Sequence, residues 1–562
     1  MSTNKISGSK MLIEALHNEN VEVVFGYPGG AVLNIYDEIY KQNYFKHILF
    51  RHEQGVIHAA DGYARASGKV GVAIITSGPG FTNAVTGIAT AYTDSIPLVI
   101  ISGQVPITQI GTDAFQEIDA VGISRPCTKH NYLVKNIKEL PRILKEAFYI
   151  AQSGRPGPVL IDLPKDISAT LGEFDYPKDI RLVTYKPTMK GNARQISKLY
   201  NAILAAKKPL FYVGGGAIIS NAVDEIRELI KLTNIPCVET LMARGVCGEN
   251  NPLFLGMAGM HGSYASNMAI SECDLLISLG ARFDDRITSK LGEFAKNAKI
   301  AHIDIDPSSI SKIVNVDYPI VGDLKNVLEE LNKNLAGFDK NKNKKWLEIV
   351  ESYKTKHTFR YEDSKDILKP QWVIQKTAEI VKGKAIISTD VGQHQMWVAQ
   401  FYPFSRQREF ITSGGLGTMG FGLPAAIGAK IAQQDLLSIN FTGDGSIMMN
   451  IQELMTCVEQ NIAVINIILN NNYLGMVRQW QTFFYEERYS SVDLKTQPDF
   501  VKLAQSFGGE GYNVRNKDEF INALNSAIKS KKVCLIDVKI DRMESVFPMV
   551  PSGEAIYNMM LN

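Results

Sequence analysis

The chain has 562 residues, enough for about three or four domains of roughly 150 residues each. Its 60 basic and 58 acidic side chains leave a net charge of +2, so neither nucleic acid nor an anionic membrane surface is an expected partner. The apolar runs fall far short of the ~20 residues that span a bilayer. The N-terminus lacks a leader pattern, so we expect a cytoplasmic protein with six reduced cysteines.

The first 172 residues alternate buried-strand and helix patterns. Apolar runs closed by glycine or proline, such as VGVAIITSGPG and GPVLIDLP, are typical of parallel strands covered on both faces. Helical patterns lie between them, which predicts a doubly wound α/β domain with a parallel sheet. At the junction after the strand-like HILF, Glu53 heads a small-residue helix. From the residues alone, a structural and a catalytic role for this acid are equally plausible.

Two polar, poorly periodic segments, 172–190 and 338–370, predict linkers. They divide the chain into three α/β domains and a tail: 1–172, 190–337, 368–545 and 546–562. The middle domain contains a strand–glycine–helix run, FYVGGGAIISNAVDEI, and two strand patterns that end in carboxylates, LLISLGARFDDR and AHIDIDP. These turns suit phosphate and ribose groups, but ordinary caps and turns explain them too, so they predict no ligand by themselves.

The third domain contains the most specific pattern. The strand-like LLSINFT ends in GDG (443–445), and the next strand pattern, AVINIILN, runs into NNN (470–472). Ligands of open parallel sheets bind beyond the carboxyl ends of the strands. A helix N-terminus after GDG would suit a phosphate, and Asp444 with an asparagine oxygen would suit the Mg²⁺ that accompanies it. For either piece alone, a helix cap or an asparagine turn is the alternative.

Two other glycine patterns resemble nucleotide-binding loops. GLGTMG (415–420) fits GxGxxG, which makes a nicotinamide dehydrogenase the rival from another reaction class. However, Asp435 precedes the next strand pattern, whereas a ribose-binding acid should follow it. GYARASGKV (62–70) resembles a phosphate-binding loop, but its glycine spacing is one residue too long and Val70 replaces Ser or Thr, so we reject it.

GDG followed after 24 residues by NN resembles the signature of thiamine diphosphate enzymes. The resemblance implies that Asp444, Asn471 and the backbone carbonyl of Tyr473 bind Mg²⁺. The run HEQG with DGYAR resembles the pyrimidine-domain motif of this family, which implies that Glu53 hydrogen-bonds the aminopyrimidine ring and activates the cofactor as a carbanion-like nucleophile. Further cofactor contacts implied by the resemblance are Gln393, His394, Gly417, Met419, Gly445, Ser446 and Met476, with Met419 as the wedge that bends the cofactor.

The resemblance narrows to acetohydroxyacid (acetolactate) synthase large catalytic subunits and runs essentially end to end. It is carried by GYPGGAVLNIYD, GTDAFQEID, SGRPGPVLIDLPKD, GARFDDR, SGGLGTMGFGLPAAIGAK and GMVRQWQTFFYEERYS. It implies a biosynthetic enzyme of the valine, leucine and isoleucine routes. Such enzymes decarboxylate pyruvate and ligate the hydroxyethyl product to a second pyruvate or to 2-ketobutyrate. Arg286 would grip the carboxylate of the second 2-ketoacid and Trp480 would shape its pocket, while Phe115 and Gln116 would line the first pocket and Lys165 its entrance.

Biosynthetic members of this family also bind FAD, which does no redox work in the reaction. The resemblance implies these flavin contacts: Arg155, Gly214, Gly215, Gly216, Thr240, Leu241, His261, Gly280, Arg282, Asp284, Asp304 and Asp323. It also implies a homodimer or homotetramer in which Glu53 of one subunit serves the diphosphate site of another. A separate small regulatory subunit and a C-terminal segment, SVFPMVPSGEA, that closes over the site are further expectations.

Two alternatives stay open at this point. The first is another thiamine diphosphate enzyme that acts on pyruvate, such as a catabolic acetolactate synthase or a pyruvate oxidase, and Arg286 and Trp480 argue against it. The second is a non-catalytic protein that has kept the fold. The presence of Glu53, Asp444 and Asn471 together argues against that possibility.

Overall fold

The computed structural model describes residues 5–561 and contains three six-stranded sheets whose strands are all parallel. Helices separate successive strands, so the doubly wound α/β fold predicted from the sequence is confirmed. A short antiparallel pair of strands lies outside these sheets, joining Ile6–Ser7 to Leu171–Gly172. Among the described residues, no helix has both the length and the apolar character needed to cross a membrane.

Within residues 5–172, the first domain has eight strands and seven α-helices. The strands are β1 Ile6–Ser7, β2 Val23–Gly26, β3 Lys46–Leu49, β4 Gly71–Ile75, β5 Leu98–Gln104, β6 His130–Leu133, β7 Pro158–Pro164 and β8 Leu171–Gly172. The helices are α1 Gly8–Asn18, α2 Leu33–Lys41, α3 Glu53–Ser67, α4 Pro79–Thr93, α5 Ala120–Ser124, α6 Leu140–Gln152 and α7 Lys165–Ala169.

The middle domain has six strands and seven helices. The strands are β9 Pro209–Val213, β10 Cys237–Glu239, β11 Phe254–Met257, β12 Leu275–Leu279, β13 Lys299–Asp304 and β14 Tyr318–Val321. The helices are α8 Ala193–Ala205, α9 Gly216–Ile219, α10 Val223–Thr233, α11 Tyr264–Glu272, α12 Asp285–Thr288, α13 Leu324–Asn334 and α14 Lys344–Lys356.

The third domain has six strands and seven helices. The strands are β15 Ala385–Thr389, β16 Phe410–Ile411, β17 Leu437–Thr442, β18 Ile465–Asn470, β19 Glu510–Val514 and β20 Cys534–Lys539. The helices are α15 Pro370–Val381, α16 Gln393–Phe401, α17 Gly422–Ala432, α18 Glu453–Gln460, α19 Gly475–Phe484, α20 Phe500–Ser506 and α21 Lys517–Ser530.

The strand orders show where each sheet can hold a ligand. The first sheet runs β3-β2-β4-β5-β7-β6 and the third runs β16-β15-β17-β18-β20-β19, so both follow the same pattern. The middle sheet runs β11-β10-β9-β12-β13-β14. Sheets of either order reverse their winding at one point, and the crevice beyond the strand ends there accepts ligands. The three crevices therefore follow the pairs β2/β4, β9/β12 and β15/β17.

The apolar runs of the sequence form the buried centre of each sheet. Every residue of β4, β5, β7, β12 and β18 is buried, because helices cover both faces of the sheet. The segment 338–370, expected to be a linker, contributes more than a connection. Trp346 of α14 is buried and its indole donates to the Pro209 carbonyl at 3.0 Å, so α14 packs on the middle domain.

Helices α3 and α17 join the first domain to the third. The two helices approach closely because glycines replace larger residues at their contact. A Cβ at Gly62 would overlap the backbone of Ala425, and a Cβ at Gly428 would overlap the carbonyl of Ala59. This contact fixes the first domain against the third within one chain.

Candidate active site

The crevice of the third sheet collects the residues predicted to hold a metal and a diphosphate. Strand β17 pairs with β15 on one side and with β18 on the other. Asp390 follows β15, Asp444 follows β17 and Asn471 follows β18. Because parallel strands end at the same edge of the sheet, these three side chains share one corner of the domain, which we call the metal corner.

Asp444 is buried, with 3% of its surface exposed, and a network of side chains holds its carboxylate. Gln497 donates to that carboxylate and accepts from the Asn470 amide at 3.0 Å. Asn470 also donates to Asp537 at 2.8 Å. Burial raises the pKa of the Asp444 carboxyl to about 6.

The turn at Asn471 is braced from two sides. Its side-chain oxygen accepts from the backbone N–H of Tyr473 at 3.0 Å, and its amide donates to Gln393 at 3.3 Å. The Arg542 guanidinium lies 4.6 Å from the centre of the Tyr473 ring and donates to the Asn471 carbonyl at 3.4 Å. The oxygens of Asp444 and Asn471 therefore lie at one braced corner, as a hard divalent cation requires.

His394 lies in the first turn of α16, next to the metal corner. A Cβ at Gly443 would lie 3.2 Å from its ring, so this glycine is what lets the GDG turn approach the histidine. The ring is buried, and within the described residues its Nε2 atom has no hydrogen-bond partner. Burial lowers the pKa of His394 to about 3, so the imidazole is neutral at physiological pH. An unpaired buried nitrogen beside a strand end is free to bond a ligand atom or an ordered water.

The structure corrects one expectation about the GDG turn. An α-helix N-terminus was expected after Gly445, but a 3-10 turn, Ile447–Asn450, follows, and α18 begins only at Glu453. The Asn450 side chain donates to the Gly420 carbonyl at 2.7 Å, which ties this segment to the neighbouring loop instead of letting it continue as a helix. The Ser446 hydroxyl donates to the Val391 carbonyl at 3.2 Å. Phosphate-facing N–H groups would thus come from a tight turn and from the start of α16.

A cavity of about 1090 Å³ extends from this crevice to the crevice of the middle sheet. Its lining contains all twelve residues of the predicted flavin set, and also Arg286, Gly417, Met419, Met476 and Trp480. The Arg286 side chain is 65% exposed and lies 3.7 Å from Asp285. Trp480 projects from α19, beside Phe484, with ring centres 5.4 Å apart. Residues predicted for a flavin, a thiamine cofactor and a second substrate therefore share one continuous space.

The middle-domain end of this cavity is shaped by close backbone contacts after β9 and β12. Cβ atoms at Gly214 and Gly216 would overlap or crowd the backbone at Gly280. The Thr240 hydroxyl is buried and unpaired within the described residues, so a polar ligand atom would satisfy it. The His261 ring is 3.2 Å from the Pro548 carbonyl, which brings the C-terminal segment to this wall.

The C-terminal segment also packs against the helix that carries Trp480. Gln479 donates to the Val546 carbonyl at 3.1 Å and accepts from the Val546 N–H at 2.8 Å. The Val550 N–H donates to the Met260 carbonyl at 2.9 Å. The segment after β20 thus links the third domain to the middle domain beside the cavity.

Of the five predicted residues in the first domain, Arg155 lines this cavity, whereas Glu53, Phe115, Gln116 and Lys165 do not. Glu53 begins α3, is 7% exposed, and accepts from the Asn83 amide at 3.0 Å. Gln116 has a positive φ of 61°, and its backbone lies against Gly78 at the start of α4. Phe115 is 88% exposed and Lys165 begins α7. Glu53 and Gln116 both lie near the start of α4, at the crevice of the first sheet.

Sequence reasoning missed several residues that build the metal corner. Asp390 carried a usable signal, since STD ends a strand pattern as GDG does, and it accepts from the Gly420 N–H at 2.7 Å. Gln497 and Arg542 carried none, because both lie in irregular segments far along the chain. Within the described residues, no cluster of three or more His, Cys, Asp and Glu side chains is arranged to hold a metal. The predicted pair of metal ligands instead combines the Asp444 carboxylate with the Asn471 amide oxygen.

The chain matches known protein families along most of its length. Residues 6–123 match the N-terminal TPP binding domain of thiamine pyrophosphate enzymes, residues 196–331 the central domain, and residues 390–538 the C-terminal TPP binding domain. The chain is 47% identical to the acetolactate synthase large subunit of Haemophilus influenzae, with 99% of this chain and 98% of the relative aligned. It is 46% identical to the acetolactate synthase isozyme 3 large subunit of Escherichia coli, with 99% of this chain and 99% of the relative aligned. It is 48% identical to the large subunit of Lactococcus lactis, with 97% of this chain and 95% of the relative aligned.

Three doubly wound domains in this order, with the metal corner in the third, define a thiamine pyrophosphate enzyme. Among these enzymes, the chain belongs to the family of acetolactate synthase large subunits. The family predicted from the sequence motifs is therefore confirmed, and the dehydrogenase alternative is wrong.

Proposed function

We propose that the chain is a biosynthetic acetolactate synthase that joins a two-carbon unit from pyruvate to a second 2-ketoacid. The products are 2-acetolactate from two pyruvates and 2-aceto-2-hydroxybutyrate from pyruvate and 2-ketobutyrate. The proposal rests on one cavity with two sets of lining residues. Gly417 and Met419 are predicted to contact thiamine diphosphate, and Arg286 and Trp480 are predicted to contact the second 2-ketoacid. A simple decarboxylase needs no grip on a second 2-ketoacid, whereas a ligating enzyme does.

The metal corner fits Mg²⁺ and the diphosphate of thiamine diphosphate. Asp444, Asn471 and the carbonyl of Tyr473 would hold the metal, because Mg²⁺ takes a few hard oxygens from protein and others from phosphates and water. The unpaired His394 Nε2, with Gln393, Gly445 and Ser446, would bind the diphosphate. Thiamine diphosphate, when bound, supplies the carbanion chemistry that the protein side chains cannot supply.

The middle-domain end of the cavity fits FAD. Its crevice has the strand order typical of dinucleotide-binding sheets, with glycine turns after β9 and β12 where a diphosphate needs close backbone approach. Arg155 is held at the rim by the Ser95 hydroxyl at 2.8 Å, and Asp304 ends β13. The buried, unpaired Thr240 hydroxyl also favours a polar ligand here.

The side chains of the protein would bind, orient and shield the reactants. Arg286 would bind the carboxylate of the second 2-ketoacid, since its guanidinium is exposed to the cavity and offers paired donors. Trp480 and Met476 would form the apolar wall that admits the extra methyl group of 2-ketobutyrate and excludes water. Glu53 would share a proton with the pyrimidine ring from a buried position.

Glu53 lies at the crevice of the first sheet and outside the cavity that Gly417 and Met419 line, which supports a homodimer as the minimal active unit, with a homotetramer as an extension of it. We propose that Glu53 of one subunit serves the cavity of the other. Glu53, Phe115, Gln116 and Lys165 all lie outside the cavity of their own chain. The 88% exposure of Phe115 supports a partner surface at this position.

We further propose a small regulatory subunit, since relatives are named as large subunits. Six unpaired cysteines support a cytoplasmic location.

The test is a product assay on the purified chain. We expect acetolactate from pyruvate alone, and mainly acetohydroxybutyrate when 2-ketobutyrate is added. After thiamine diphosphate, Mg²⁺ and FAD have been removed from the protein, an assay that lacks any one of the three should give neither product. Acetaldehyde or acetyl phosphate as the main product would refute the proposal in favour of a decarboxylase or an oxidase.

A further inference from the structure

Asp94 of the first domain holds a loop of the third domain by two backbone bonds. Its two carboxylate oxygens accept from the N–H groups of successive glycines, Gly414 at 3.0 Å and Gly415 at 2.7 Å. The Asp94 side chain is only 2% exposed and pairs with the Arg65 guanidinium at 2.8 Å. Arg65 also donates to the Thr412 carbonyl at 2.9 Å. A buried carboxylate that accepts from two consecutive backbone N–H groups constrains the backbone conformation of the loop as well as its distance from the first domain.

A second contact from the same helix holds the far end of this loop. The hydroxyls of Thr90 and Thr418 lie 2.7 Å apart, and both residues are buried. Residues 412–420 are therefore held by α3 and α4 of the first domain as well as by Asp390 and Asn450 of the third, and we call them the clamped loop. The clamped loop contributes Gly417 and Met419 to the cavity, on the side predicted for thiamine diphosphate.

The opposite side of the clamped loop touches the residues predicted for the flavin. A Cβ at Gly415 would lie 2.9 Å from the Asp94 carboxylate and 3.0 Å from the Arg282 guanidinium, so both side chains lie against Gly415. Arg282 follows β12, at the middle-domain crevice, and lines the cavity with Asp94. The clamped loop is thus the shared wall between the two cofactor regions.

We propose that Asp94, with Arg65 and Thr90, is a positioning residue that links flavin binding to thiamine diphosphate binding through the clamped loop. A flavin that orders Arg282 against Gly415 fixes Gly417 and Met419 in the place that the second cofactor needs. Linkage is reciprocal, so each cofactor raises the affinity for the other by the same factor. This inference rests on the proposed binding of both cofactors.

The experiment measures this coupling factor instead of activity. FAD affinity of the cofactor-free protein is titrated by flavin fluorescence, with and without saturating thiamine diphosphate and Mg²⁺. For the unaltered protein we expect FAD affinity to rise by about 5-fold or more when thiamine diphosphate is present, at the lower end of typical coupling between sites. The reverse titration, followed by tryptophan fluorescence, should give the same factor.

Two variants break the clamp in different ways. In Asp94→Asn, an amide NH₂ group replaces one of the two carboxylate oxygens. This group cannot accept a hydrogen bond, so the bond to the Gly414 or the Gly415 N–H is lost. Thr90→Val keeps the side-chain shape, removes the bond to Thr418 and leaves the cavity lining untouched. In both variants the coupling factor should fall below about 2-fold. Glu146→Gln is the matched control, since it alters a buried carboxylate of the same domain that pairs with Arg142 at 2.7 Å, away from the loop.

The outcomes separate the inference from the proposed function. Coupling that persists unchanged in Thr90→Val and Asp94→Asn, or that is equally lost in Glu146→Gln, overturns the role of the clamp. Binding of both cofactors by the unaltered protein without any coupling overturns the inference and leaves the proposed function standing. Failure of the unaltered protein to bind FAD at all overturns both.

Discussion

Glu53→Gln should remove most acetolactate formation while leaving the fold intact. The Glu53 carboxylate accepts from Asn83 at 3.0 Å, and a glutamine oxygen can accept the same bond. One charge-assisted bond becomes neutral, so the free energy of unfolding should fall by about 1 kcal/mol or less. The loss of a shared proton should cost roughly 10²- to 10⁴-fold in kcat, the usual contribution of a positioned acid or base. Near-normal kcat in a folded variant would refute the role of Glu53.

A hybrid dimer shows whether Glu53 acts in its own chain or across the interface. One subunit carries Glu53→Gln and the other carries Asp444→Ala, and two affinity tags isolate the hybrid. If Glu53 acts across the interface, one site keeps both an intact glutamate and an intact metal corner, and the hybrid should retain about half of the activity of the unaltered dimer. If Glu53 acts within its own chain, both sites are defective. A hybrid as inactive as the two parent variants would therefore refute the dimer model.

Three further predictions test other parts of the site. Trp480→Leu enlarges the second-substrate pocket and should lower the preference for 2-ketobutyrate over pyruvate by about tenfold in a competition assay, and an unchanged product ratio would contradict this role. Gln497→Leu removes a donor to Asp444 and should weaken binding of Mn²⁺, followed by electron paramagnetic resonance, by about tenfold; unaltered affinity would show that the corner orients itself. Asp162→Asn should raise the apparent Tm by about 2–4 °C at pH 8 and by less at pH 5, and a gain that is the same at both pH values would count against it.

The sign of the Asp162 prediction follows from its burial. The carboxyl belongs to a residue within β7, accepts from Gln104 at 3.0 Å, and has its pKa raised by burial to about 7. The folded protein thus binds a proton that the unfolded chain releases above the ordinary pKa of aspartate, about 3.9. Stability contributed by the neutral acid is lost as the pH rises from about 4 to about 7. Asparagine cannot ionise, so its advantage is largest at the higher pH.

The sequence predicted those parts of the site that depend on contiguous residues. Asp444 and Asn471 could be paired because each directly follows an apolar strand run, and parallel strands end at one edge. The 3-10 turn after Gly445 could not be predicted, because Asn450 is drawn to Gly420 by a tertiary hydrogen bond. Helix propensity, which depends on local sequence, does not predict such a tertiary contact.

Contacts between domains were beyond the reach of sequence patterns. Asp94 and Gly415 are separated by 321 positions, and nothing in TAYTDSIP marks Asp94 as more than a helix-terminal acid. The cavity itself is assembled from strand ends of two sheets and from helix α19, so only the resemblance to known enzymes could name its residues together. The resemblance named Glu53 as well and implied that it serves the site of another subunit, but it could not reveal the hydrogen bond that Glu53 accepts from Asn83.

A movement of the first domain cannot bring Glu53 into the cavity of its own chain without breaking the contacts that define the fold. Glu453, nine residues after Asp444, accepts from the Arg51 N–H at 3.2 and 3.3 Å and so holds the start of the Glu53 helix. The glycine contacts between α3 and α17 and the Asp94 bonds to the clamped loop fix the same domain further along. The Glu453 and Asp94 carboxylates are buried, and breaking their bonds would cost about 1.5–3 kcal/mol for each hydrogen bond to a charged group. Glu53 from a second copy of the chain could reach the cavity without breaking these contacts, so the hybrid dimer is the decisive test.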